Sequence, residues 1–125
     1  MKQLTLHTIL AALLLSMPLV AQAGRGEAET AVTRANSGVA AADRAGAVEF
    51  SAVEIGIARE QLMQANRACE RRDWDDCERA AHRAHADARL AEARTRQSKA
   101  EAATAALKAA VDTLSTELAR SGAAS

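Results

Sequence analysis

From residue 27 onward, apolar and small residues recur at alternating steps of three and four, and no stretch of any length alternates every second residue. That spacing predicts helices, not strands. The first stripe is Ala28, Val32, Ala35, Val39 and Ala42, on a helix over about 27–45. Gly38 interrupts it and weakens it by about 1 kcal/mol relative to alanine. The second stripe is Ile55, Ala58, Leu62, Ala65 and Cys69, on a helix over about 52–70. Ser51 with Glu54 reads as a capping box at its start, and Phe50 with Ile55 as a hydrophobic staple. The third helix, about 74–120, opens at Asp73, whose carboxylate can accept from the free amides of the first turn. Asp75, Asp76 and Glu78 add negative charge near the positive end of its dipole. Its early seam is Cys77, Ala81, Ala84, Ala88, Ala91, Thr95, Ser98 and Ala102. Its later stripe is heavier: Leu107, Val111, Leu114 and Leu118. No glycine or proline interrupts it before Gly122, which with Arg120 forms a C-terminal signal.

The three residues Glu70-Arg71-Arg72 join the second helix to the third, which forces an antiparallel hairpin. The expected fold is therefore all-α: an alanine-rich antiparallel helical hairpin with a long C-terminal helix and a shorter N-terminal helix, coiled-coil-like in its spacing. The hairpin partner covers only the first half of the third helix. The stripe from Leu107 to Leu118 follows the seam spacing of a coiled coil and is left for a partner, either a second copy in a homo-oligomer or another helical protein.

Composition sharpens this picture. Of 125 residues, 33 are alanine, and the only aromatic residues are Phe50 and Trp74. Alanine is the strongest helix former, and so few large side chains leave no material for a β-sandwich or a large layered core. Residues 1–23 stand apart. Lys2, an apolar run from Ile9 to Leu15, Pro18 and then Ala21-Gln22-Ala23 have the layout of a secretory signal peptide cleaved after Ala23. No cysteine stands at that cut for lipidation. Residues 24–125 are then a single helical domain, expected in the periplasm as a secreted, cleaved and not lipid-anchored protein. Removal of Lys2 leaves 15 basic against 16 acidic residues, with no overall charge to favour nucleic acid.

Cys69 ends the second seam and Cys77 begins the third, so each is placed beside the turn by its neighbours' spacing. In an oxidising compartment the pair is expected to form a disulfide. Closing so short a loop stabilises by about 2.5 kcal/mol in the chain-entropy model. A rival reading joins Cys69 and Cys77 to His82 and His85 as a metal or ligand site. Against it, Cys77 and His82 are about 140° apart around a helix, and His82 is spaced to pair with Glu78.

Asp75 with Arg79 and Glu92 with Arg96 are spaced for ion pairs with the acid first. Between Arg89 and Lys108 the chain carries Arg89, Arg94, Arg96, Lys99 and Lys108 against Glu92 and Glu101, a local excess that suits weak contact with an anionic envelope polymer or a membrane surface. There is no phosphate-binding glycine loop and no grouping of nucleophile, base and pocket. Neither catalysis nor a cofactor is expected.

The segment from Ala65 to Ala91 resembles a bacterial envelope family known as domain of unknown function 4398. The resemblance rests on the turn Arg72-Asp73-Trp74 after an alanine-rich helix, and on Ala86-Asp87-Ala88-Arg89-Leu90-Ala91. It extends over roughly residues 45–120. This chain departs from the pattern at Cys77, where alanine is usual. Some similar proteins are joined to a peptidoglycan-binding domain of the outer-membrane-protein-A kind, so the resemblance implies a structural or interaction role in the envelope.

Overall fold

Four helices follow one another through residues 20–124, the part of the chain that the computed structural model describes. They are α1 (Val20–Ala45), the single turn α2 (Ala47–Phe50), α3 (Ala52–Glu70) and α4 (Trp74–Ala123). No strand occurs among the described residues. The signal peptide expected over 1–23 lies outside them up to residue 19, and for residues 20–23 only a helical backbone is described. The helix α1 therefore begins ahead of the start near Glu27 that its stripe suggests.

The buried residues form three successive layers. Ala28 meets Ala68 and Cys77 at one end. Ala31 and Ala35 meet Ala65, Ala80, Ala81 and Ala84 in the middle. Val39 and Ala42 meet Ile55, Ala58, Ala88 and Ala91 at the other end. Residue numbers rise through these layers in α1 and α4 and fall in α3. The body is thus an up-down-up bundle in which α3 and α4 form the hairpin and α1 runs parallel to α4. The seam is almost wholly alanine, and the largest fully buried side chains are Ile55, Thr95 and Cys77. Small seam residues bring the helix axes close, and the intrinsic helix propensity of alanine supports what so slight an apolar core cannot.

The turn between α1 and α3 departs from the capping box that its sequence suggests. Gly46 adopts φ 95°, which a side chain disfavours, and α2 follows it. The Ser51 amide donates to Ala47 O at 2.8 Å. Its hydroxyl makes no cap bond to α3 and instead shares a hydrogen bond with Thr95 Oγ1 across the bundle at 3.2 Å. Glu54, the other half of the expected box, pairs with Arg94 of α4. Long-range partners displace the local motif at both of its positions.

The second turn is held by a Schellman arrangement. Asp73 N donates to Ala68 O at 3.0 Å and Arg72 N to Cys69 O at 3.0 Å. The left-handed residue that this requires is Arg72, with φ 62°, where glycine is usual. Asp73 then caps α4 by accepting from Asp76 N at 3.3 Å. At the far end, Gly122 lies inside α4 and has no positive φ, so it does not end the helix as its position suggests.

Candidate functional site

Thr95 is the last buried residue of α4. Two contacts close the bundle there. Lys99 Nζ donates to Ala45 O at 2.5 Å and stands 5.3 Å from the centre of the Phe50 ring. An ammonium at the end of α1 satisfies a carbonyl that has no partner within its own helix and opposes the dipole charge. Beyond this point α4 runs on to Ala123, and every residue from 99 to 124 is exposed. About 25 residues of helix, about 37 Å, therefore project from the body as a single arm.

The arm carries the heavy stripe. Leu107, Val111, Leu114 and Leu118 are 69%, 59%, 63% and 72% exposed, so neither α1 nor α3 reaches them. Their spacing places them on one side of the helix. A further exposed apolar pair, Val53 and Ile57, lies on α3 near the base of the arm. It falls outside the Ile55 seam, and its one-turn spacing was the only signal in the sequence that could have marked it.

At the opposite end, Cys69 and Cys77 are joined, with Sγ atoms 1.97 Å and Cα atoms 5.1 Å apart. The bond ties the last turn of α3 to the first turn of α4. The structure does not bring Cys69, Cys77, His82 and His85 together as a ligand set. Both sulfurs are consumed in the bond, His82 Nε2 lies 3.3 Å from Glu78 Oε1 on the surface, and His85 turns toward α1. Among the described residues no group of three or more histidine, cysteine or acidic side chains is placed to hold a metal ion.

His85 explains the glycine in α1. A Cβ on Gly38 would stand 2.9 Å from His85 Nδ1 and 3.5 Å from Ala88 Cβ. The glycine that weakens α1 locally is what lets the imidazole lie between α1 and α4. The Nδ1 atom is buried there without a hydrogen-bond partner.

The charged surface is sorted by helix face. Arg96 pairs with Glu92 at 2.5 Å. Arg79 pairs with Asp76 and not with Asp75, its expected partner four residues back. The Arg79 guanidinium, hydrogen-bonded to Asp76, holds that carboxyl below the ordinary aspartate range. Arg59 of α3 reaches Asp43 of α1 at 2.8 Å. Arg94 turns toward α3, whereas Arg89, Arg96 and Lys99 line clefts toward α1.

No helix among the described residues is long and apolar enough to cross a membrane. A family model described as Domain of unknown function (DUF4398) matches residues 30–107, well over half of the chain. The match runs from α1 through the body into the base of the arm and ends at Leu107, so Val111, Leu114 and Leu118 lie beyond it. No curated protein and no solved structure matches the chain.

Proposed function

We propose that this chain, which belongs to the DUF4398 family, is a helical structural and interaction module of the bacterial cell envelope without catalytic activity. In this reading it is exported to the periplasm, loses residues 1–23 and works through the arm of α4. The body is the anchor: three alanine-packed helices, stapled at one end by Cys69–Cys77 and closed at the other by Lys99. The arm is the working part. The observation that carries the reading is the exposure of Leu107, Val111, Leu114 and Leu118 at seam spacing on a helix without a neighbour. A contiguous exposed apolar strip marks an interaction surface, and coiled-coil spacing suits another helix. The partner is a second copy or another helical envelope protein.

Two measurements test this. Intact mass of the protein recovered from the periplasmic fraction should correspond to a chain beginning at Gly24. Retention of residues 1–23 would contradict cleavage. A photo-crosslinking residue at Leu114 in living cells should give an adduct with the chain itself or with a helical envelope protein, and the same residue at Arg59 on the body should not. Absence of any Leu114 adduct would contradict the role of the arm. The alternative, a metal- or ligand-binding protein using the cysteines and histidines near the hairpin turn, is less favoured, because the disulfide leaves Cys69 and Cys77 no free thiolate.

A further inference from the structure

The basic run between Arg89 and Lys108 is not explained by the arm. In the folded chain it divides. Arg94 turns to α3 and Lys108 lies on the arm, but Arg89, Arg96 and Lys99 face α1, which brings Arg34 and Arg44 to the same groove. Two adjoining shallow clefts, about 370 and 460 Å3 and largely open to solvent, follow one another along α1 and α4 and share Ala41 and Glu92. Five cations line them against one acid, Glu92, and that acid is already paired with Arg96. Arg34 and Arg89 have no hydrogen-bond or ion-pair partner in the described residues. Arg44 bonds only the Ala40 carbonyl, at 3.2 Å. A chain with 16 basic and 16 acidic residues thus concentrates unpaired positive charge along one groove.

We infer that this groove binds an extended polyanion whose repeat carries a phosphate group. The cations are strung out, not gathered. Arg34 and Arg44 lie ten residues apart on α1, about 15 Å along the helix, as do Arg89 and Lys99 on α4. A lone phosphate spans only a fraction of that length, whereas a polymer places one charge after another along it. Guanidinium groups meet phosphate oxygens in a planar, bidentate fashion. The surface between them is formed by Ser37, Gly38, Ala41, Ala45 and His85, with no large apolar pocket for the anchoring side chain that a protein partner brings. It also carries no Phe, Tyr or Trp on which nucleic-acid bases stack. A second cleft, between α3 and α4, also holds arginines, Arg67, Arg71 and Arg83, but Asp76 lies among them.

Polyanion binding in the groove does not depend on the arm and is tested on the chain from Gly24 onward with inorganic polyphosphate as the probe. Binding should be measurable at low salt and should weaken steeply as salt rises. Monomeric phosphate should bind far more weakly. Arg34→Gln with Arg89→Gln should lower polyphosphate affinity by about tenfold or more. Arg67→Gln with Arg83→Gln should leave affinity nearly unchanged, and so should Leu114→Glu with Leu118→Glu. Helix content by circular dichroism should be the same for all variants, since the altered side chains are exposed. No binding at low salt would overturn the inference. So would an equal loss in the Arg67/Arg83 pair, or monophosphate binding as tight as the polymer. Tighter binding of poly-glutamate than of polyphosphate would assign the groove to an acidic polypeptide and overturn it too.

Discussion

Thr95 and Ser51 share a buried hydrogen bond at 3.2 Å, and it marks the level at which the bundle ends and α4 continues alone. The Thr95 hydroxyl also bonds Ala91 O at 2.8 Å. Each hydroxyl is almost wholly shielded from water, and Thr95 is the only partner of the Ser51 hydroxyl among the described residues. Thr95→Val keeps the shape of the side chain and leaves Ser51 without its partner. We expect a loss of about 1–2 kcal/mol in a denaturant melt. Adding Ser51→Ala should recover most of it, because no orphaned hydroxyl then remains. If the double variant is as unstable as the sum of two damaging changes, the pairing is not what matters at this site.

The staple can be removed without disturbing the seam, since alanine fills most of it. Cys69→Ala with Cys77→Ala should lower unfolding free energy by about 2–3 kcal/mol. Helix content by circular dichroism should stay the same at low temperature. An unchanged thermal midpoint would mean that the disulfide does not constrain the unfolded chain.

Gly38 and His85 should be thermodynamically coupled. In a His85→Ala background, the methyl of Gly38→Ala is left with an ordinary contact to Ala88 Cβ at 3.5 Å and should stabilise by about 1 kcal/mol through helix propensity. In the wild-type background the new methyl meets the imidazole, and the gain should shrink or reverse, with a coupling energy of at least about 0.5 kcal/mol. Additive effects would show that the close approach of these two residues costs nothing.

Arg72 holds a left-handed conformation that disfavours side chains. Arg72→Gly should therefore stabilise the hairpin by up to about 1 kcal/mol in chemical denaturation, with no change in helix content. A destabilised variant would mean that the guanidinium makes a contact worth more than the strain it incurs.

Helical spacing alone located the three long helices and most of their buried faces. A periodic pattern is the direct imprint of a seam, and Ala28, Ala58, Ala84 and Ala91 all lie in it fully buried. The exposed arm was legible for the same reason, because Leu107 to Leu118 continue a seam past the reach of α3. What escaped is tertiary. Ser51 carries a local capping pattern, yet its partner stands 44 residues away in the chain. The single turn α2 is too short to show a period. Gly38 reads as a local weakness until His85, on another helix, supplies its purpose. The basic groove needs Arg34 and Arg44, which no linear window joins to Arg89 and Arg96.

We propose that the arm of α4 associates through its apolar stripe. Analytical ultracentrifugation of the chain from Gly24 onward, beside Leu114→Glu with Leu118→Glu and each also in the presence of envelope extract, tests this. Both substituted side chains are well exposed, so the body should be unaffected, which the unfolding midpoint checks. The wild type is expected to sediment as an oligomer or with a bound helical partner, and the variant as a free monomer of equal stability. A wild type that is monomeric and carries nothing that the variant lacks would contradict it.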